Sequence, residues 1–270
     1  MGHWHTAFCE TNGICIYYTR TGGMNLPPIV MLHGLMMNGA CWTGLAHSLE
    51  KNYDLILPDA RGHGKSSIPE FGYRYNDHAN DVIGLITSLE IPSPILLGHS
   101  MGGMTAAVVA SRKPHWLRAL ILVDPTFLSS KSQRKVRDSD VANHHQKMLN
   151  MSREELVADA RMRHPDRTDD VLDLLALARL QTSMAAFDVL TPPSPDYRKL
   201  IPAIDVPSFI VFGDKGVISS AMAEELKRMN PTIQTKMIRE AGHSVHLDQP
   251  KQVASTIRTF LHSIGAIFRI

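Results

Sequence analysis

The chain has 270 residues, 44% of them hydrophobic and 20% charged, with a formal net charge of +2 at pH 7. This is the composition of an ordinary globular protein, one large domain or a domain with an inserted cap, and without any long Lys/Arg run it argues against nucleic-acid or membrane partners. No apolar stretch is long enough to span a bilayer, and Met1-Gly2-His3-Trp4-His5 lacks the charged-then-apolar layout of a secretion signal, so a cytoplasmic protein is expected.

Taken in order, residues 6–10 and 14–20 read as two strands around a turn at Asn12-Gly13, an antiparallel edge hairpin. Cys9 and Cys15 lie on it, and with Cys41 they form an odd set with no metal-ligand spacing: free thiols in a reducing compartment. Pro27-Pro28 leads into the apolar run Ile29 to Leu32, of the kind buried in a parallel sheet, which ends in His33-Gly34-Leu35-Met36-Met37. A helix with Trp42, Leu45 and Leu49 at helical spacing follows, then a strand over 53–57 and the Gly-rich loop Pro58 to Ser67. A helix over about 76–90 precedes the apolar run Pro94 to Leu97.

That run drives into Gly98-His99-Ser100-Met101-Gly102, and an Ala-rich helical pattern follows to about Arg112. Strand, sharp turn and helix are the context in which Gly-x-Ser-x-Gly presents a nucleophile. The turn leaves no room for side chains two positions either side of its centre. Gly98 and Gly102 meet that demand, and Ser100 would project its hydroxyl over the positive end of the next helix.

Leu117 to Val123 is the next apolar strand, ending in Asp124-Pro125. From 127 to 203 the pattern turns wholly helical and rich in Arg and Met, an insertion expected to leave the sheet at its carboxyl edge and form a lid over Ser100. Met148, Met151, Met162 and Met184 are candidates to line an apolar pocket beneath it. Arg134, Arg137, Arg153, Arg161 and Arg163 read mostly as solvated faces, with one of them available to a substrate carboxylate. Strand pattern returns over 206–212 and 233–238, with helices over about 219–229 and 250–264. Strands alternating with helices imply a mostly parallel, doubly wound sheet with core residues 1–126 and 204–270.

A serine hydroxyl needs a base to accept its proton. His243, preceded by Gly242 on the loop after the last strand, can reach the same sheet edge as Ser100; His246 competes but lacks the preceding Gly. Asp248 reads as a cap of the final helix. Two carboxylates compete to orient the base: Asp124, at the end of the strand after the elbow helix, and Asp214, after the following strand.

His33-Gly34, Asp59-Ala60-Arg61-Gly62-His63-Gly64-Lys65-Ser66, Gly98-His99-Ser100-Met101-Gly102-Gly103 and Gly242-His243 make the chain resemble the α/β-hydrolase superfamily along essentially its whole length. The resemblance implies an α/β-hydrolase fold with a helical cap at 127–203. It also implies nucleophile Ser100, base His243, oxyanion donors in the N–H groups of Leu35 and Met101, and no cofactor or metal. His33, at the entrance of the oxyanion loop, is by the resemblance usually a loop-fixing residue and not a base; it and Met36 are also the candidates for substrate contact, while Asp59, Arg61 and His63 are expected to stabilise their turn. His99 should point away from the site.

The superfamily's usual acid position, Gly-x-x-Asp after the strand ending at Phe212, is occupied here by Gly216, and Asp214 comes two positions early. Asp124 is therefore favoured, with Asp214 the alternative. Leu122-Val123-Asp124-Pro125, Gly216-Val217-Ile218 and Asn230-Pro231-Thr232-Ile233 resemble the N-formylmaleamate deformylase-like hydrolases. The expected activity is that of a serine hydrolase on a small ester, amide or lactone, the protein being a monomer or homodimer. The alternatives are a cofactor-independent dioxygenase or lyase using a His243–Asp124 dyad, and a ligand-binding receptor that retains the triad.

Overall fold

The computed structural model describes residues 4–23 and 25–267, so His3 lies outside the described residues. Strands β1 (His5–Thr11) and β2 (Ile14–Arg20) pair antiparallel with Thr11 opposite Ile14. Asn12 and Gly13 both take left-handed φ, 50° and 74°, as a two-residue hairpin of the correct twist requires. β1 is the sheet edge, and β2 carries the hairpin onto the rest of the sheet by pairing antiparallel with β4.

Six strands run parallel: β3 (Pro28–Leu32), β4 (Asp54–Pro58), β5 (Ile95–His99), β6 (Ala119–Val123), β7 (Ser208–Gly213) and β8 (Ile233–Ile238). The sheet order is β1-β2-β4-β3-β5-β6-β7-β8. β5 and β6 are buried along their whole length, which is why they read as unbroken apolar runs, whereas β8, at the far edge, alternates with exposed residues.

The period-two alternation sends side chains to two cores. Val30, Leu32, Leu96, Leu120 and Leu122 face α2 (Tyr75–Ser88), α3 (Met101–Arg112) and α9 (Ser220–Met229). Ile29, Met31, Leu97, Ile121 and Val123 face α1 (Thr43–Leu49) and α11 (Pro250–Ile267) on the other side. Each fully buried aliphatic side chain of these layers contributes roughly 1.5–3 kcal/mol.

Between β6 and β7 lie α4 (Ser130–Arg137), α5 (Val141–Met148), α6 (Arg153–Arg163), α7 (Asp169–Leu180) and α8 (Tyr197–Leu200). Ser152 starts α6 with a reciprocal capping box to Glu155. Met148, Leu156 and Ala176 join α5, α6 and α7 in a small core of their own. A second cluster, Ala178 with Met37 and Cys41, seats α7 on the loop that follows β3. The end of α7 is pinned further: Asn38 donates to the Gln181 side chain at 3.1 Å, and the Ser183 N–H donates to the Gly62 carbonyl at 2.8 Å.

Candidate active site

β5 ends at His99 and α3 begins at Met101, leaving Ser100 alone in the turn with φ 53° and ψ −115°. Such a backbone costs a non-glycine residue roughly 1–3 kcal/mol and survives only where its surroundings hold it. Here the Ser100 N–H donates to the Val123 carbonyl at 3.1 Å, and its own carbonyl accepts from the N–H groups of Met104 at 3.0 Å and Thr126 at 3.3 Å. The flanking glycines allow the tight passage. A Cβ on Gly98 would overlap the Gly102 carbonyl, and one on Gly102 would overlap the carbonyl oxygens of Leu32 and His33.

The Ser100 hydroxyl donates to Nε2 of His243 at 2.7 Å, and His243 Nδ1–H donates to Asp124 Oδ2 at 2.6 Å. Asp124 is fully buried at the end of β6, with a left-handed φ of 42°. Its carboxylate also accepts the N–H of Val217 at 2.8 Å and of Ile218 at 3.0 Å. Asp214 instead accepts the Ala241 N–H at 3.1 Å on the exposed side of the turn. Backbone N–H donors, that of Ala241 foremost, hold its carboxyl below the usual range.

Leu35 and Met101 are the residues whose N–H groups were expected to serve as oxyanion donors. Both residues line the cavity at Ser100, and neither amide has an acceptor among the described residues. Met101 opens α3, so its N–H has no partner one turn earlier and carries the positive end of the helix.

Two expectations need correction. His33 is buried away from this cavity: its Nε2 accepts the Ala60 N–H at 2.9 Å and its Nδ1–H donates to the Gly34 carbonyl at 2.8 Å. Burial pushes its pKa down, and the imidazole ties the loop after β3 to the Asp59–Gly64 turn without lining the cavity. Met36, with φ 64°, does line the cavity. His99 does not point away; its Nε2–H donates to the His243 carbonyl at 3.0 Å, so the neighbour of Ser100 supports the His243 loop. His246 packs between Trp42 and His99, and burial, aided by the Arg167 charge, pushes it down to about 3.

Asp59 fills its expected structural role, accepting the N–H groups of Gly39 at 2.8 Å and Lys65 at 2.9 Å. Arg61 forms a buried pair with Asp81. Asp248 was expected to cap a helix; its Oδ2 accepts the Gly242 N–H at 2.8 Å and its Oδ1 accepts from Arg167 at 2.7 Å. One carboxylate thus fastens the His243 loop to the insertion.

The cavity over Ser100 measures about 570 Å³ and is lined from below by the core and from above by α5, α6 and α7. Of the four methionines singled out from the sequence, Met148 lines it; Met151 packs among α5–α7, Met162 is 79% exposed, and Met184 lies off the cavity wall. Arg134, Arg137, Arg153 and Arg161 are solvent-facing, the last two paired with Asp173 and Asp169. Arg163 reaches the cavity rim but is paired with Asp159 one turn earlier. Arg167 and Arg179 also line the wall, and sequence reasoning missed both. The signal for Arg179 was its place as the one charge in the apolar run Leu174 to Leu180; Arg167, in the turn before α7, carried none.

A sequence profile described as the alpha/beta hydrolase fold matches residues 27–250. The chain belongs to the α/β-hydrolase family, and the class of protein that fold and relatives define is a hydrolase. The 2-(acetamidomethylene)succinate hydrolase of Mesorhizobium japonicum is 26% identical over 87% of this chain and 88% of its own length. The N-formylmaleamate deformylase of Pseudomonas putida is 28% identical over 88% of this chain and 90% of its own. Among solved structures, an E-2-(acetamidomethylene)succinate hydrolase superposes with a TM-score of 0.84 at 24% identity, over 96% of this chain and all of that one.

Proposed function

We propose that the protein is a serine hydrolase that cleaves a small ester or amide through an acyl-enzyme on Ser100. The observation that carries this is the unbroken chain Asp124–His243–Ser100, with hydrogen bonds of 2.6 and 2.7 Å, opening onto a cavity that also receives two unpaired amides. A cavity of about 570 Å³ suits a small molecule and excludes a polymer.

His243 Nε2 takes the hydroxyl proton as Ser100 Oγ bonds to the substrate carbonyl carbon. The imidazolium that forms is stabilised by the Asp124 carboxylate, which Val217 and Ile218 hold in place through their own N–H groups. Negative charge gathering on the carbonyl oxygen meets the N–H groups of Leu35 and Met101. Removing one such donor typically costs 10²–10³ in rate. The bond to the leaving alcohol or amine then breaks as His243 returns its proton to that group. Water repeats the sequence on the acyl-enzyme, releasing the acid and restoring Ser100.

The test is a hydrolysis panel of p-nitrophenyl esters from acetyl to octanoyl with small formamides and N-acyl amides beside it, together with labelling by a fluorophosphonate. Turnover of some member and labelling that disappears in Ser100→Ala are expected. No hydrolysis and no labelling of a folded protein would remove the proposal.

A further inference from the structure

The cavity wall carries three guanidinium groups, and they are not equivalent. Arg163 is neutralised by Asp159 and Arg167 by Asp248, the latter at 2.7 Å. Arg179, in the last turn of α7, is half-buried, and among the described residues no carboxylate lies within 4.0 Å of it. Its one polar contact is a 3.2 Å approach of Nη1 to the Met36 sulfur, a weak acceptor. Burial, with the Arg163 charge adding to it and the more distant Asp159 opposing it, lowers its pKa.

A guanidinium is not discharged at neutral pH, so a half-buried one facing an apolar cavity calls for an anion. Its position is also specific. Met36 directly follows Leu35, whose N–H awaits the oxyanion, so an anion on Arg179 lies within a small molecule's length of the reacting carbonyl. The backbone that presents Arg179 is rigid: Gln181, Thr182 and Ser183, which follow it, are held by Asn38, His145 and Gly62.

We infer that the substrate carries one carboxylate, seated on Arg179 by its planar fork, and that a second carboxylate finds no unpaired guanidinium in the cavity among the described residues. This rests on acyl transfer at Ser100, and it sets the charge of the substrate apart from that of a succinate-type diacid. Arg179 is thereby the specificity-determining residue.

The experiment compares kcat/KM, by pH-stat titration, within two substrate series. In one the charge lies on the acyl side: ethyl hexanoate against monoethyl adipate. In the other it lies on the leaving group: methyl 3-acetoxybenzoate, 3-acetoxybenzoate and the dianionic 5-acetoxyisophthalate. In at least one series the monoanion should exceed its neutral partner by about 10- to 100-fold, the range of a charge-assisted hydrogen bond. The dianion should gain nothing further over 3-acetoxybenzoate.

In Arg179→Met the monoanion-to-neutral ratio should fall to about unity, and in Arg179→Lys it should be intermediate, because the charge remains and the fork is lost. Arg153→Met, whose partner Asp173 lies with it on the outer face, should keep the full ratio. Three results overturn the inference while leaving the hydrolase standing: neutral esters preferred or equal in both series with Ser100 labelled, a ratio that survives Arg179→Met, or a tenfold preference for the dianion. Failure of every ester together with failure of Ser100 to label would remove the parent reading, and this inference with it.

Discussion

Gly216 stands against Asp124 so closely that a Cβ on it would lie 2.6 Å from Oδ2 and 2.7 Å from Oδ1. The absence of a side chain at Gly216 therefore makes room for the Asp124 carboxylate from the neighbouring strand, and the N–H groups of the next two residues bind it. Gly216→Ala should push the Asp124 carboxylate off His243 and lower kcat by at least 10²-fold, with KM less affected. A Gly216→Ala enzyme with near-wild-type kcat would mean that the carboxylate is not set by this contact.

The same geometry ranks the two aspartates. Asp124→Asn leaves the imidazole in place but presents it with the wrong hydrogen-bonding partner, a loss of about 10⁴ in the best-studied triad. Asp214→Asn, which touches backbone N–H groups on the exposed side of its turn, that of Ala241 foremost, should cost less than tenfold. Steady-state kinetics of the two variants on one ester decide the matter, and the reverse ranking would transfer the acid to Asp214.

Much of this was open to inspection in the sequence, and the reason is steric. Gly98 and Gly102 are dictated by main-chain overlaps that no other residue survives, and the buried strands must be continuously apolar, so both leave a local mark. Gly216 marked the place of the Asp124 carboxylate in the same way, by an absence. Arg179 stands alone as a charge in the apolar run Leu174 to Leu180, a mark open to inspection, whereas Arg167, in the turn between α6 and α7, left none. Whether a given arginine has a carboxylate at hand is decided by residues up to about 80 positions away, as Asp248 is from Arg167. His99 was misjudged for a like reason: its direction follows from the β5 pleat, but its acceptor, the His243 carbonyl, comes from the other end of the chain.

Buried histidines should set the acid limit of stability. His78 and His246 ordinarily titrate near 6.5, and burial pushes each down to about 3 in the fold. Above pH 6.5 neither folded nor unfolded chain holds the proton and stability is full. Below it the unfolded chain takes up protons that the folded one refuses, so stability falls with pH towards 3, by about 1.4 kcal/mol per pH unit for each such imidazole. Urea denaturation at pH 7, 6, 5 and 4 measures this slope. His246→Phe fills the same space between Trp42 and His99, where neither ring nitrogen has a protein partner, and should flatten the slope by one proton's worth. A stability that stays level from pH 7 to pH 4, or a slope that His246→Phe leaves intact, would contradict the assignment.

The Arg167–Asp248 pair makes a prediction about charge selection. Asp248 neutralises Arg167 at the cavity wall, and Arg167 is only 9% exposed along its side chain. Asp248→Asn keeps an oxygen for the Gly242 N–H but removes the charge, so a second guanidinium in the wall becomes unpaired. Breaking a buried pair from one side commonly costs about 3–5 kcal/mol, and an anion bound from solution would recover part of that loss. The variant should therefore be less stable than wild type and gain more in melting temperature from added succinate. Its preference should also move towards diacids: kcat/KM for 5-acetoxyisophthalate relative to 3-acetoxybenzoate should rise by about tenfold, the worth of one further charge-assisted hydrogen bond. Ratios are the proper readout, because the Gly242 bond also supports His243 and absolute rates will fall in any case. If the diacid ratio stays at its wild-type value while the stability drops, Arg167 faces protein alone and takes no part in choosing the substrate.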